Sequence, residues 1–194
     1  LHADRMKEAA PEELLLRLEQ SARNFQALDK SNWVDLAAAE PSGPSRHIFL
    51  AGHPRSGTTL AENILASLPD AVAIEERPTI AGLGREILNS ADGFARFAAL
   101  PGAELAALRD DYWTRATRAA GTDLSGKLFI DMDPFKGARL PYLARLFPQA
   151  KFVITRRDPR DVVWSCFHTN FAFNAGTATF GTLENTARHY AATW

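Results

Sequence analysis

Residues 47–60 read His-Ile-Phe-Leu-Ala-Gly-His-Pro-Arg-Ser-Gly-Thr-Thr-Leu. The apolar run at residues 48–51 predicts a buried strand, and the apolar spacing from Leu60 onward predicts a helix. Gly52 and Gly57 bound the loop between them. A strand, a glycine-bounded loop and a helix in this order place several backbone N–H groups around one concave site, at the positive end of the helix dipole. The stretch therefore predicts a phosphate-binding loop.

This loop has the glycine spacing of the Walker A motif of ATP- and GTP-binding proteins, but it lacks the lysine of that motif. Thr58 stands at the lysine position, and the positive charge lies inside the loop at Arg55. Backbone N–H groups, hydroxyls and one guanidinium can hold a terminal anion without the point charge that triphosphate sites place on the β and γ phosphates. We therefore expect a nucleotide that carries less charge at that end than a triphosphate does.

Composition narrows the class of protein. The chain has 194 residues, of which 46% are hydrophobic and 23% charged, as is usual for a globular protein with a sizeable core. A net charge of -1 disfavours general nucleic-acid binding. The single cysteine, Cys166, excludes an internal disulfide, and no Cys/His cluster has zinc-ligand spacing, so we expect no metal site.

No apolar run is long enough to span a membrane, and no signal-peptide pattern is present, so we expect a cytoplasmic protein without a membrane segment. The sequence starts at Leu1 rather than at a methionine and stops at Trp194 inside a helical pattern. We therefore expect it to be a piece of a longer chain.

Strand and helix patterns alternate after residue 45. A short extended piece is predicted at residues 71–74, and further buried strands at 127–131 and 151–155. Helices are predicted at 79–88, near 94, and at 103–119, 136–147, 159–167 and 182–194. This alternation predicts an α/β, P-loop-like three-layer fold, in which helices flank a central parallel sheet and the ligand lies at the carboxyl ends of the strands. Asp131 is predicted at that ligand edge, and Asp158 is predicted to cap the helix that starts at Pro159.

Residues 1–45 are predicted to form an N-terminal helical segment followed by a linker, and residues 46–194 the main domain. The helix is expected at residues 12–28, with Pro11 in its first turn, and the linker at residues 41–45, which read Pro-Ser-Gly-Pro-Ser. The helix either caps the main domain or ends an upstream helical array, since one copy does not establish a repeat.

Three separated motifs carry a family resemblance. They are residues 54–60, Pro-Arg-Ser-Gly-Thr-Thr-Leu; Glu75-Glu76; and residues 157–167, Arg-Asp-Pro-Arg-Asp-Val-Val-Trp-Ser-Cys-Phe. Together they resemble the sulfotransferases that use 3′-phosphoadenosine 5′-phosphosulfate (PAPS), above all the bacterial members often fused to tetratricopeptide repeats and the protein-tyrosine sulfotransferases. The resemblance covers about residues 46–194. It implies transfer of a sulfuryl group to a hydroxyl or amine acceptor, with adenosine 3′,5′-bisphosphate as the product.

The resemblance also implies the donor-binding residues. The 5′-phosphosulfate would be bound by Arg55, Ser56, Gly57, Thr58 and Thr59, and Arg55 would also act in catalysis. Arg157 and Ser165 would bind the 3′-phosphate, which a guanidinium and a hydroxyl suit chemically. The other interpretation of Arg157 is that it only neutralises Asp158 or Asp161 at the start of the helix.

Sulfuryl transfer needs a base for the acceptor proton, and Glu76 is the predicted base, with Glu75 as the adjacent alternative. His53 lies inside the loop and is expected to pack or to form hydrogen bonds there rather than act as the base. We expect His168 on the helix surface or at the cleft edge, and Cys166 buried as a small apolar residue.

The sequence departs from the family pattern at two places. Met132 stands where relatives usually have a lysine that stabilises the leaving group, and Lys136 or Lys127 is the expected substitute. The further strand, the Tyr-Glu-Asp-Leu-like segment and the closing loop that normally follow are not found before Trp194, so we expect the domain to be truncated at its C-terminus.

The sequence is also compatible with two other functions. One is a P-loop kinase or nucleotide hydrolase, in which Asp131 would be a Walker B carboxylate that holds magnesium. The other is a module that binds the nucleotide with weak or no catalysis.

Overall fold

The computed structural model describes residues 10–27, 43–88, 90, 92–174 and 176–194. Its strands are β1 (Arg46–Ala51), β2 (Ala71–Glu75), β3 (Leu128–Met132) and β4 (Lys151–Ile154). Its α-helices are α1 (Pro11–Ala27), α2 (Thr58–Ala66), α3 (Arg85–Leu88), α4 (Gly93–Ala98), α5 (Gly102–Ala120), α6 (Leu140–Leu146), α7 (Pro159–His168) and α8 (Leu183–Thr193). Three 3₁₀ turns lie at Ala81–Leu83, Pro134–Arg139 and Thr177–Gly181.

The four strands form one parallel sheet in the order β2-β3-β1-β4. In its centre Ile130 of β3 lies opposite Ile48 of β1 on one side and Ala73 of β2 on the other. Because all the strands run in one direction, the segments that follow them leave from the same edge of the sheet. The predicted α/β fold with a central parallel sheet is confirmed.

Helices cover both faces of the sheet. Phe49 and Phe129 point to one face, where they pack with residues of α5 and α6 such as Tyr112 and Leu143. The neighbouring strand residues point to the other face and pack against α2, and they are Leu50, Leu128, Ile130 and Met132. Strands buried on both faces need apolar side chains in both alternating sets, which is why they read as continuous apolar runs.

Helix α1 packs against the last helix, α8. Leu15 is fully buried, and Arg188 of α8 forms ion pairs with Glu12 at 2.7 Å and Glu19 at 2.9 Å. The helix therefore caps the domain in this structure, which is one of the two arrangements predicted for it. Residues 41–42 of the predicted linker lie outside the described residues, and the division of the chain at residue 45 stays a prediction.

Two helices that were predicted as continuous are interrupted in the structure, so these predictions are wrong. The helix expected at residues 79–88 is divided at Gly84, whose φ of 68° is not helical. The helix expected at 136–147 is a 3₁₀ turn up to Arg139, and α6 starts only at Leu140. Pro141 explains the second break, because it has no N–H to donate to the carbonyl of Gly137 and fits only in the first turn of a helix.

No helix in the described part of the chain is both long and apolar enough to cross a bilayer.

Candidate functional site

The loop after β1 is closed on itself and joined to the end of β4. The Ser56 hydroxyl lies 2.7 Å from the Thr155 hydroxyl and accepts a hydrogen bond from the His53 N–H at 3.2 Å, while the Ser56 N–H donates to the His53 carbonyl at 3.0 Å. A Cβ atom on Gly52 would lie only 2.6 Å from the Ser56 Oγ. Residue 52 must therefore be glycine for this loop to close.

The loop delivers the chain into the amino end of α2. Gly57 occupies the N-cap position in the left-handed region with a φ of 103°, and no side chain accepts a hydrogen bond there. Arg55 also has a positive φ, of 71°. The first N–H groups of a helix have no intrahelical acceptor, and the helix dipole adds positive potential at this end. The loop and α2 together thus offer the donors that an anion requires.

Arg55 connects the first and third sequence motifs. Its Nε donates a hydrogen bond to the Ser165 Oγ on α7 at 3.0 Å. These two residues are 110 positions apart in the sequence and lie in contact in the structure. The resemblance assigns them to opposite ends of one nucleotide. Their binding roles stay predictions, but they line the same part of the molecule.

Arg157 lies at the start of the α7 region and forms an ion pair with Asp161 at 3.2 Å, with both side chains more than half exposed. This pair is the one that the alternative interpretation of Arg157 predicted. Asp158 caps α7 as predicted, since its carboxylate accepts a hydrogen bond from the Arg160 N–H at 2.9 Å. Exposed ion pairs contribute little free energy, so a phosphate can displace Asp161 from Arg157 at low cost.

Glu76 follows β2 at the same sheet edge. Its backbone N–H donates to the Met132 carbonyl of β3 at 2.8 Å, and its φ of 51° is unusual for a residue with a side chain. Burial raises the pKa of its carboxyl, and the negative charges of Asp133 and Glu75 raise that pKa further. A carboxylate with a raised pKa is a stronger base, which suits the predicted role of Glu76.

Two further carboxyls lie close to Glu76. Burial raises the pKa of Glu62 on α2, as do the charges of Glu75 and Glu76. Burial also raises the pKa of Asp133, which directly follows β3. The carboxyl edge of β2 and β3 therefore carries acidic side chains, whereas the loop after β1 carries the positive charge of Arg55.

Neither Lys127 nor Lys136 supplies the cation expected at position 132. Met132 is fully buried and packs with Leu50 and Ile130. The Lys127 ammonium lies 3.5 Å from an Asp70 carboxylate oxygen at the amino end of β3, which is the wrong edge of the sheet. The Lys136 ammonium is buried in an ion pair with Asp131. The expectation that Lys136 or Lys127 takes over this role is therefore wrong in this structure.

Asp131 was predicted at the ligand edge, and this placement is wrong. Strand alternation turns its side chain into the core, where it has no exposed surface. One carboxylate oxygen accepts hydrogen bonds from the hydroxyls of Tyr112 and Thr79, each at 2.9 Å, and the other pairs with Lys136. A carboxylate engaged in this way cannot coordinate magnesium, which removes the observation that favoured a kinase or hydrolase.

His53 is buried and forms hydrogen bonds in the loop, as predicted. Its Nε2 lies 3.0 Å from the Nδ1 of His189 on α8, and its Nδ1 lies 3.2 Å from the Pro54 carbonyl. Burial lowers the pKa of His53 to about 4 and that of His189 to about 3, so both imidazoles are neutral at neutral pH. These contacts join the loop to α8.

Cys166 and His168 also lie where they were expected. Cys166 is buried on α7, where its thiol donates to the Pro54 carbonyl at 3.2 Å, and burial raises its pKa to about 12. A thiol with so high a pKa is not a nucleophile at neutral pH. His168 is exposed at the end of α7.

Three residues that shape the site were not predicted from the sequence: Thr155, Glu62 and His189. Thr155 directly follows a predicted strand at its carboxyl end, and this position was a sufficient signal to include it. Glu62 is a carboxylate in an otherwise apolar helical pattern, which is a weaker signal. No local signal identified His189, because its partner His53 is 136 positions away.

Comparisons with known proteins agree with these features. A profile of the sulfotransferase family matches residues 47–194. The chain is 35% identical to protein-tyrosine sulfotransferase 1 of Mus musculus over 127 residues, which cover 61% of this chain and 33% of that protein. The corresponding protein of Homo sapiens is 34% identical over 127 residues, with the same shares, and that of Danio rerio is 33% identical over 125 residues, or 61% of this chain and 34% of the relative. The chain thus spans about a third of the length of these curated relatives.

Proposed function

The chain belongs to the sulfotransferase family, and we propose on that basis that it transfers a sulfuryl group from PAPS to a hydroxyl or amine acceptor by in-line displacement. The family resemblance predicted from the three motifs is confirmed by the profile match. The observation that carries the proposal is the contact between Arg55 and Ser165. It joins the loop after β1 to α7, and a nucleotide with phosphates at both its 5′ and 3′ positions needs binding groups from both.

We assign the 5′-phosphosulfate to the loop and the amino end of α2, and the 3′-phosphate to Arg157 and Ser165. The loop residues are Arg55, Ser56, Gly57, Thr58 and Thr59. The closed loop and uncapped helix start support the first assignment, since they offer N–H donors without a lysine, and a phosphosulfate terminus carries less charge than a triphosphate. The position of Ser165 beside Arg55 supports the second.

In the proposed reaction the acceptor oxygen or nitrogen forms a bond to sulfur as the bond from sulfur to the 5′-phosphate oxygen breaks. The acceptor proton passes to the Glu76 carboxylate, and adenosine 3′,5′-bisphosphate leaves. Arg55 stabilises the charge that develops on the transferring group. The raised pKa of Glu76 and its position at the carboxyl edge of the sheet support its role as the base.

A second candidate function is a nucleotide-binding module with weak or no catalysis. One observation favours it, namely that Met132 is buried where the lysine of relatives would stabilise the leaving group. We therefore expect slow turnover. A cytoplasmic location and upstream tetratricopeptide repeats stay predictions from the sequence.

A transfer assay tests the proposal. The chain is incubated with PAPS carrying labelled sulfate and with separate panels of tyrosine peptides, sugars and small amines. The tyrosine peptides come first because the relatives are named protein-tyrosine sulfotransferases. We expect labelled acceptor from one panel, and we expect Glu76→Gln to abolish the label while adenosine 3′,5′-bisphosphate still binds. Glu75→Gln is the matched control, since it removes the adjacent carboxylate.

Binding of the bisphosphate without label in any acceptor would favour the binding module. Loss of transfer in Glu75→Gln but not in Glu76→Gln would move the base to Glu75.

A further inference from the structure

Glu76 sits in a backbone conformation that the rest of the molecule must hold in place. Its φ of 51° lies in the left-handed region, which is sterically unfavourable for a residue with a Cβ atom. Such conformations persist only where the surroundings determine them. One constraint is the hydrogen bond from the Glu76 N–H to the Met132 carbonyl at 2.8 Å.

A second constraint acts three residues later, through a side chain. The Thr79 hydroxyl donates to the Asp131 carboxylate at 2.9 Å, and both side chains are almost completely buried, at 1% and 0% exposure. Asp131 directly precedes Met132 on β3. Residues 76–79, which we call the Glu76 turn, are therefore held by two consecutive residues of one buried strand. The Met132 carbonyl accepts from the Glu76 N–H, and the Asp131 carboxylate accepts from the Thr79 hydroxyl.

Asp131 is itself fixed directly from two other elements, and one of these contacts is supported by a third. Tyr112 of α5 donates to the same carboxylate oxygen at 2.9 Å, and the Lys136 ammonium, in the 3₁₀ turn at Pro134–Arg139, pairs with the other oxygen. His47 at the start of β1 adds an Nε2 that lies 2.9 Å from the Tyr112 hydroxyl. A buried charge with a paired cation and fully used hydrogen bonds is rigid, since any displacement leaves a buried polar group unsatisfied.

We propose that Thr79 and Asp131 are positioning residues, which hold the Glu76 carboxylate at a fixed place relative to the donor-binding loop. The catalytic part of this proposal rests on the proposed function, in which Glu76 takes the acceptor proton. The structural part rests only on the hydrogen bonds of the turn. Neither Thr79 nor Asp131 touches the reacting atoms, so their effect passes through Glu76.

The test uses a mild substitution. Asp131→Ala would leave the Lys136 charge buried and unpaired and could unfold the chain, so Thr79→Val is the main variant, because it removes the hydroxyl and keeps the shape. Thr79→Ser retains the donor and serves as the rescue. Thr186→Val is the matched control, since Thr186 is also buried and its hydroxyl donates at 2.7 Å to the carbonyl of Thr182, the residue that caps α8.

Two readouts are measured for each variant. Amide hydrogen exchange of Glu76, followed by NMR, reports on the turn and does not depend on activity. Sulfuryl transfer from labelled PAPS reports kcat and the donor KM. In Thr79→Val we expect about tenfold faster exchange at the Glu76 amide relative to Thr186→Val, and about tenfold lower kcat with little change in the donor KM. Thr79→Ser should behave like the unmodified chain.

The possible outcomes separate the two proposals. Equal exchange at Glu76 in Thr79→Val and Thr186→Val would overturn the positioning role, and so would faster exchange with an unchanged kcat. Faster exchange at Glu76 in a chain that shows no transfer to any acceptor would refute the proposed function and leave the structural constraint on the turn established.

Discussion

The Arg55 side chain carries the charge of the first motif and contacts the third, so its replacement should weaken the nucleotide site. Arg55→Ala removes the guanidinium from the loop and the hydrogen bond to Ser165. We expect the affinity for adenosine 3′,5′-bisphosphate to fall about 10-fold to 100-fold, because charge-assisted hydrogen bonds to phosphate are strong. Arg55→Lys should recover only part of the affinity, since lysine lacks the planar fork.

Isothermal calorimetry measures these affinities. Arg115→Ala is a suitable control, because Arg115 pairs with Asp111 on α5, away from the loop. An Arg55→Ala affinity within twofold of the control would contradict the binding role of Arg55.

A lysine at position 132 should increase the rate of sulfuryl transfer. Met132→Lys would bring an ammonium group to the end of β3, beside Glu75, its neighbour on β2, and Glu76, whose N–H donates to the carbonyl of residue 132. We expect kcat to rise about tenfold or more if the ammonium stabilises the leaving group, and the pKa of Glu76 to fall toward its ordinary value. The free energy of unfolding should decrease, because residue 132 is buried.

Met132→Leu is the control for the loss of the native side chain, and the measurement is the pH profile of sulfuryl transfer. The same kcat in Met132→Lys and Met132→Leu would show that the missing lysine does not limit turnover.

Helix α1 contains two adjacent leucines that test whether it folds as part of the domain. Leu15 is completely buried against the domain, whereas Leu16 is 52% exposed. Leu15→Ala should lower the free energy of unfolding by about 2–5 kcal/mol, because it removes buried methyl groups and leaves a cavity. Leu16→Ala should change it by less than about 0.5 kcal/mol.

Urea unfolding measures both variants. If α1 were only an appendage, the two substitutions would have equally small effects.

Most elements of the fold were predictable, because their signals are local. The apolar runs identified the four strands to within one or two residues, and Asp158 with Pro159 identified the start of α7. The helix expected at 136–147 was wrong although its signal was also local, since Pro141 cannot donate the N–H that a continuous helix requires. Because proline fits only in the first turn of a helix, Pro141 is itself a local signal for a helix start at Leu140.

The candidate site was less predictable, because its contacts join residues that are far apart in the sequence. The loop after β1 was recognisable from its glycines and hydroxyls. The direction of the Asp131 side chain could not be predicted from the sequence. Only the assembled sheet shows that this side chain faces Tyr112 and Thr79 rather than the ligand edge. Its partner Lys136 gave no signal either, because lysine at a helix start usually lies in solvent.

For the whole molecule, the His53–His189 contact predicts a dependence of stability on pH. The pKa of His53 is about 4 and that of His189 about 3 in the folded chain, against 6.5 as the ordinary value. Between these values the unfolded chain binds more protons, so the free energy of unfolding is highest above about pH 6.5 and falls as the pH decreases toward 4. At pH 5 each histidine should account for about 2 kcal/mol of that loss.

Urea unfolding at pH 7 and pH 5 checks this prediction, with His189→Asn as the comparison. The variant should lose less stability between the two pH values, by about 2 kcal/mol. The raised pKa values of Glu62, Glu76 and Asp133 act in the opposite direction, but the comparison cancels them because both chains carry these residues. An equal loss in both chains would show that these imidazoles are not buried as a neutral pair.

In the proposed complex, one adenosine nucleotide reaches from the loop after β1 to α7. Calorimetric titration with adenosine 3′,5′-bisphosphate, adenosine 5′-monophosphate and ATP, each with and without magnesium, tests this most directly. We predict that the bisphosphate binds without metal and at least about tenfold more tightly than the monophosphate, since only the bisphosphate presents a 3′-phosphate to Arg157 and Ser165. Binding of ATP that requires magnesium, with no binding of the bisphosphate, would contradict the account.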